Sequence, residues 1–363
     1  MPDLSAAPRS SPDAGLAGFV RSLRAGAPGG LSGLLVLLVA LVALFSALIP
    51  DRFPTGSTLQ SVMFQLPQLG ILALAMVIPL ISGGLNLAII ATMNQSALLM
   101  AFVMKSLIPA GAAGPEVALV VLLALAAGFL LCLVIGLATG ALVAYTGVHP
   151  ILVTLGMMSI VDGISVYLTR GTVIAGFPEA FQWLGNGTLA GLPVPFLVLV
   201  AAAFLLGLVL RRTPFGISVY MIGSNLEATR FSGVDTRRVL IGVYTLSSVL
   251  CFVAACLMMA YLNSASAAYA QSYLLVTILA AVLGGIDPFG GFGRIAGLMV
   301  ALVILQVISS GFNLLGLSQH LTLAIWGLTL IAVTGAKAVS ATLASAAARA
   351  ASAYGARKKG VAP

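Results

Sequence analysis

Charge is the scarcest feature of this sequence. Of 363 residues, only 7% are Asp, Glu, Lys or Arg, against 60% hydrophobic. Soluble domains carry about 25% charged residues. A chain this poor in charge cannot furnish a water-facing surface, whereas lipid accepts an apolar exterior as long as the backbone hydrogen-bonds within itself. Apolar runs recur along the whole chain near the ~20 residues that cross hydrocarbon. Together these exclude a soluble domain with a greasy core.

Cysteine is nearly as sparse. Cys132, Cys251 and Cys256 sit inside apolar runs, with no metal-ligand spacing and no disulfide framework, and read as small packing residues. No GxxxxGK[ST] loop is present to cradle phosphate, so ATP would have to be held by another protein. HExxH, CxxC and the nucleophile elbow are also missing, so the sequence assigns no catalytic residue, cofactor or metal. No ladder of intramembrane acids and bases marks a proton or sodium relay. A cleavable leader is missing too: a polar tail with Arg9, Arg21 and Arg24 precedes the first apolar run, which is expected to be an uncleaved first span.

What is present is an all-α integral membrane protein with Gly-broken segments. Ten spans are expected: Leu31–Ile49, Ser61–Ile81, Leu87–Met104, Val117–Tyr145, Ile151–Leu168, Pro193–Leu210, Val239–Tyr261, Ser272–Ile286, Ile295–Ser310 and Leu321–Thr334. The fourth exceeds one perpendicular crossing, so tilt or an internal break is expected there. The chain divides into a disordered N-tail (1–29), a transmembrane domain (30–335) and a basic C-tail (336–363). The net charge of +8 gathers in the two tails and in the loop 211–238, which holds Arg211, Arg212, Arg230, Arg237 and Arg238. Ten spans place all three on one side, the cytoplasmic one by the positive-inside rule. The basic balance therefore reports topology in a lipid bilayer and not nucleic acid.

Gly83-Gly84-Leu85-Asn86 interrupts one apolar region, and Gly284-Gly285-Ile286-Asp287 echoes it half a chain later. Internal repeats are common in transporters, but both segments face the same side, against an inverted repeat. Irregular backbone in a membrane protein lines a wet cavity or is buried in protein. Asn86, Asn94 and Gln95 are thus candidates for the translocation path, with interhelical hydrogen bonding as the competing role. Asp162 reads either as a solute or ion contact or as an interfacial carboxylate near Arg170. The pairs Gly136/Gly140 and Gly293/Gly297 have the spacing of close helix packing.

The loop 211–238 is the most informative polar segment. Asn225 is a plausible N-cap for a short helix with Glu227 near its start. That helix could pass force to a soluble partner, or it could be a solvated connector.

Here the chain resembles the permease subunits of ribose- and xylose-type ABC importers, in the broader branched-chain amino acid/monosaccharide permease family. The likeness is carried by Thr213-Pro214-Phe215-Gly216, by Tyr220-Met221-Ile222-Gly223-Ser224-Asn225 and by Glu227-Ala228-Thr229-Arg230-Phe231-Ser232-Gly233-Val234. Ile151-Leu152-Val153-Thr154-Leu155-Gly156, the loop Phe177–Pro195, Ile278–Gly285 and the Gly83–Asn86 break extend it from about residue 60 to 335. The resemblance implies a bacterial inner-membrane protein with both termini cytoplasmic. It implies a partner ATPase docked through Phe215, Gly216, Gly223, Asn225, Glu227, Arg230 and Gly233. It also implies a periplasmic solute-binding protein, a second permease subunit, identical or paralogous, and a monosaccharide or related polyol as cargo. An ATPase-independent carrier is the alternative. The chain departs from the family at Asn86, where Asp is usual, at Asp162 and Ile217, where Arg is common, and near Ser272-Tyr273-Leu274, where a Glu-Leu pair is expected. These departures bear on the solute and on subunit pairing.

Overall fold

The computed structural model describes residues 31–108, 114–318, 320–329 and 331. The expected tails, 1–29 and 336–363, lie outside the described residues. Among the described residues, the fold is all-α apart from four two-residue strands. In order, the helices are α1 (Leu31–Leu48), α2 (Gly56–Ile81), α3 (Ile89–Leu107), α4 (Pro115–Thr146), α5 (Pro150–Thr169), α6 (Glu179–Asn186) and α7 (Val194–Arg212). They continue with α8 (Pro214–Ser224), α9 (Leu226–Phe231), α10 (Thr236–Leu262), α11 (Tyr273–Leu283) and α12 (Ile295–Leu314), and residues 320–329 are again helical.

Seven described helices are long and apolar enough to cross a membrane: α1, α2, α4, α5, α7, α10 and α12. Three expected spans differ. The third, α3, has 19 residues but carries Asn94 and Gln95. The eighth, α11, has only 11 residues. At 1.5 Å per residue it covers roughly 17 Å of a ~30 Å core, so it is a half-helix and does not cross alone. The tenth is helical over residues 320–329, its remainder falling mostly outside the described residues. The long fourth span is one uninterrupted 32-residue helix, α4, so no internal break occurs there.

Small residues set the packing. Helix α10 lies against α4, α2, α3 and α6. On α4, Gly136 and Gly140 face it so closely that an added Cβ would stand 2.8 Å from Thr245 Cα and 2.7 Å from Ile241 Cα. Between lipid-immersed helices such contact is the main attraction, because hydrocarbon outside is as apolar as the interior. Helix α2 is enclosed from Leu66 to Ile81 despite Pro67 and Pro79. Peripheral helices expose large apolar side chains instead, such as Val36 on α1, Leu122 on α4, Tyr167 on α5 and Phe204 on α7. The three cysteines are buried and free, as packing residues are.

The loops gather at two ends. At one end, β1 (Ile174–Ala175) pairs with β4 (Ser264–Ala265), β2 (Thr188–Leu189) pairs with β3 (Leu192–Pro193), and the Asn263 side chain accepts from Phe177 N at 2.8 Å. At the other end lie the interruptions after α2 and α11, the α4–α5 turn and the segment 213–235. There Thr154 Oγ1 donates to Leu85 O at 3.1 Å, and the Arg237 guanidinium sits 5.1 Å over the Tyr145 ring.

Candidate functional site

The segment 213–235 folds as two short helices joined at Asn225. Thr213 caps α8, its Oγ1 accepting from Gly216 N at 3.1 Å, with Pro214 at the first helical position. Phe215 is half-buried, its ring 2.8 Å from where a Cβ on Gly242 would lie. Gly216 is buried against the Leu210 backbone, where no side chain fits. The Tyr220 hydroxyl donates to Gly293 O at 2.9 Å. Burial raises this phenol above its ordinary value, with Arg211 and Arg294 pulling it back, so it remains a donor at neutral pH.

Asn225 caps α9 as expected, its Oδ1 accepting from Ala228 N at 2.9 Å. Glu227 lies in the first turn and Arg230 in the last, each on the favourable end of the helix dipole, and both are exposed. Gly233 follows with φ +82°, its N–H donating to Arg230 O at 3.1 Å. Phe231 is 88% exposed on this outward face.

The centre of the arrangement is Gly223. A Cβ there would collide with Ile81 O and Gly291 N, the two atoms that hydrogen-bond each other at 2.8 Å. Gly290 is also close-packed, 2.7 Å from Gly83 Cα for an added Cβ. Both glycine-broken segments thus meet the last turn of α8 through bare backbone. Beside this junction runs a groove of about 820 Å³ whose walls include Arg211, Tyr220, Asn225 and Arg294. Sequence reasoning missed two parts of this site: the helical state of 214–224, and residues 287–294, which present Phe289 (89% exposed) and Phe292 (68%) beside it. The available signal was Asp287-Pro288-Phe289-Gly290-Gly291-Phe292, two aromatics in a segment otherwise made of turn residues.

The path candidates do not share one cavity. Asn86 is 2% exposed; its Nδ2 donates to Ser247 Oγ at 3.0 Å and its Oδ1 accepts from Ala88 N at 3.1 Å. Asn94 Nδ2 donates to Ala267 O at 2.9 Å and Tyr269 O at 3.0 Å. Both side chains tie distant segments together. Gln95 lines a cavity of about 410 Å³ between α3 and α5, where its Oε1 accepts from Ser165 Oγ. Asp162 is half-buried on α5, its Oδ1 without a hydrogen-bond partner. It makes no ion pair with Arg170: the one ion pair among the described residues is Arg238–Asp235 at 2.9 Å. His149 caps α5 through Nδ1, a structural role.

Among proteins of known function, this chain is 31% identical over 278 residues to the autoinducer 2 import system permease protein LsrD of Yersinia enterocolitica, covering 75% of this chain and 81% of that one. The LsrD of Yersinia pseudotuberculosis is also 31% identical over 278 residues, covering 75% and 80%. That of Photorhabdus temperata is 31% identical over 274 residues, covering 74% and 79%. No solved structure matches the chain. Residues 58–334 match the family described as branched-chain amino acid transport system / permease component. With that match spanning all the helices from α2 onward, the chain belongs to this family, as the multi-pass permease subunit of an ABC importer rather than an enzyme.

Proposed function

We propose that this permease carries a small polar, sugar-like solute inward, and that a partner ATPase drives it by docking on α8, α9 and residues 287–294. The LsrD relatives are import permeases for autoinducer 2 by name, which supports a sugar-like cargo. The observation that carries the coupling reading is the backbone junction at Gly223. A displacement of α8 reaches the ends of α2 and α11 directly, since no side chain intervenes to absorb it. Exposed Phe231, Phe289 and Phe292, with Glu227 and Arg230 among them, give the docking face apolar anchors and charges outside the lipid. Nucleotide-dependent closure of the ATPase then shifts the permease between outward and inward states by differential affinity. A second permease subunit, identical or paralogous, completes the path, and a periplasmic binding protein delivers the solute. Both termini and the docking face lie in the cytoplasm.

Glu227→Arg tests this reading. Expression and membrane insertion should be near normal, while solute uptake falls sharply and ATPase co-purification weakens; losing one partner of a buried charged pair costs roughly 2–5 kcal/mol in binding. In the same cells, a membrane-impermeant thiol reagent applied outside should label Thr188→Cys, at an exposed position of the β2–β3 hairpin, and not Glu227→Cys. Full uptake by Glu227→Arg at equal membrane levels would remove this face from the mechanism. The second reading, an ATPase-independent carrier, draws on Asp162, whose buried oxygen has no partner.

A further inference from the structure

At the end opposite the docking face, a cavity of about 400 Å³ opens where α11 begins. Its size falls within the roughly 300–1,000 Å³ of small-molecule sites. Gln65 of α2, Tyr273 of α11, Ser309 and Asn313 of α12, and Thr322 and Trp326 of the following helix contribute its walls. Four separate parts of the chain therefore supply polar groups to one space. Gln306 Nε2 donates to Gln65 Oε1 at 3.0 Å, which fixes that amide and leaves its own N–H groups to the cavity. Trp326 is 9% exposed, and its indole Nε1 has no hydrogen-bond partner. A buried N–H donor without an acceptor is costly and is most simply explained by a ligand or water that completes it.

The chemistry of the walls restricts the ligand. Among the described residues that line it, none is Asp, Glu, Lys, Arg or His. An amino acid brings an ammonium and a carboxylate, each of which needs a charged or strongly oriented partner once desolvated. A neutral polyhydroxylated molecule needs what is here: hydroxyls and amides that both donate and accept, an indole donor, and ring faces of Tyr273 and Trp326. The site also adjoins the first turn of a half-helix, the place where broken helices of transporters hold their cargo. We propose that this cavity is the solute site of the permease and takes an uncharged polyol or monosaccharide, with Asn313, Gln65 and Trp326 as its recognition residues. The assignment rests on the import reading above, but its location comes from this cavity alone.

The chain has two tryptophans, so Trp183→Phe leaves Trp326 as the single emitter, within the cavity. The full-length variant, in lipid nanodiscs, is titrated with D-ribose, D-xylose and ribitol, and separately with leucine. The expected result is a saturable change in Trp326 emission with at least one neutral probe and none with leucine. Asn313→Leu on the same background should raise the midpoint at least tenfold, because the leucine neither donates nor accepts. Trp326→Phe in the intact importer should weaken uptake of the responding probe while ATPase co-purification stays unchanged, which shows that the variant folds. A response to leucine, no saturable response to any neutral probe, or an unshifted midpoint in Asn313→Leu overturns the proposal. Loss of ATPase co-purification in the unaltered chain alongside a saturable Trp326 response defeats the import reading and still upholds this cavity as a binding site.

Discussion

The two glycine-broken segments end their helices in the same way and then do opposite things. After α2, Gly83 N donates to Leu80 O at 3.0 Å and Gly84 N to Pro79 O at 2.9 Å. After α11, Gly285 N donates to Val282 O at 3.1 Å and Ile286 N to Ala281 O at 3.0 Å. Each is a Schellman closure around a left-handed glycine, with φ +83° at both Gly83 and Gly285. The structural match therefore pairs Gly83 with Gly285, one residue out of step with the sequence echo that pairs Gly84 with Gly285. What the two segments share is a need for one glycine just past a helix end. Beyond it, Asn86 turns inward and is consumed by Ser247 and Ala88, whereas Asp287 stays at the surface, accepting from Phe289 N at 2.9 Å and leaving two aromatics exposed. One break anchors the core and the other furnishes a face for a partner.

The comparison is broken most severely at the point where both segments meet. Gly223→Ala forces a methyl group into the Ile81–Gly291 hydrogen bond, among backbone atoms that cannot rotate away. Overpacking against rigid neighbours costs about 3 kcal/mol or more here, and uptake should be lost. Gly191→Ala, in the hairpin at the opposite end, is the matched control: it has open space around it and bears only the left-handed penalty of roughly 1–2 kcal/mol. Thermal inactivation of the purified chain, followed by size-exclusion fluorescence beside an uptake assay, checks both. Equal behaviour of the two variants would dissolve the junction as a transmission point.

A smaller effect sharpens the contrast between Asn86 and Asp287. Ser247 Oγ donates to Ala75 O at 2.8 Å, so its lone pairs are what the Asn86 amide addresses. Asn86→Asp, which restores the residue usual in the resembling family, places carboxylate oxygen against those lone pairs in a buried site. The lost donor and added charge should cost about 1–3 kcal/mol. Asp287→Asn keeps the acceptor for Phe289 N at a partly exposed position and should change stability by no more than about 0.5 kcal/mol. Thermal midpoints of the two variants measured side by side decide whether the breaks differ in this way; equal shifts would count against it.

Much of this was legible because it is local. Apolar runs, the glycine pairs and the Asn225 cap are written in neighbouring residues, and the helices, the breaks and the α9 cap lie where those signals stand. The partners of Asn86 and Asn94 are 161 and at least 173 residues away, so the sequence left path lining and interhelical bonding open. Helix α8 was not legible either: Thr213-Pro214 is a good start signal, but two glycines and the β-branched Ile217, Val219 and Ile222 lower its intrinsic propensity. It is held by burial of Gly216, Val219 and Ile222 against the bundle. The length of α11 was legible in part: its apolar run, marginal alone for a span, extends to Ile286, but the helix stops at Leu283 in the Schellman closure around Gly285, where Gly284 also packs within 2.7 Å, for an added Cβ, of Leu298 at the head of α12.

The smallest expected effect separates the two mechanisms that remain. Asp162 stands on α5 with Oδ1 buried and unpaired, while the neighbouring Ile160 and Ile164 are exposed on the helix surface. If an ATPase supplies the driving force, this carboxylate has no assigned task. Asp162→Asn is nearly isosteric and removes a charge whose placement at mid-membrane costs roughly 2.5–3.5 kcal/mol on insertion scales. Uptake at equal membrane levels should then stay within about twofold of the unaltered chain, since no charge-assisted contact is lost, and the protein should be no less stable. If the chain is a carrier coupled to an ion, Asp162 is the one described intramembrane carboxylate on a crossing helix with an unpaired buried oxygen, and neutralising it should abolish concentrative uptake. Measuring uptake with the sodium and proton gradients collapsed in turn gives the second arm: indifference to both is expected with ATP present. Loss of uptake in Asp162→Asn together with dependence on one gradient would transfer the mechanism from the face at Gly223 to the carboxylate on α5.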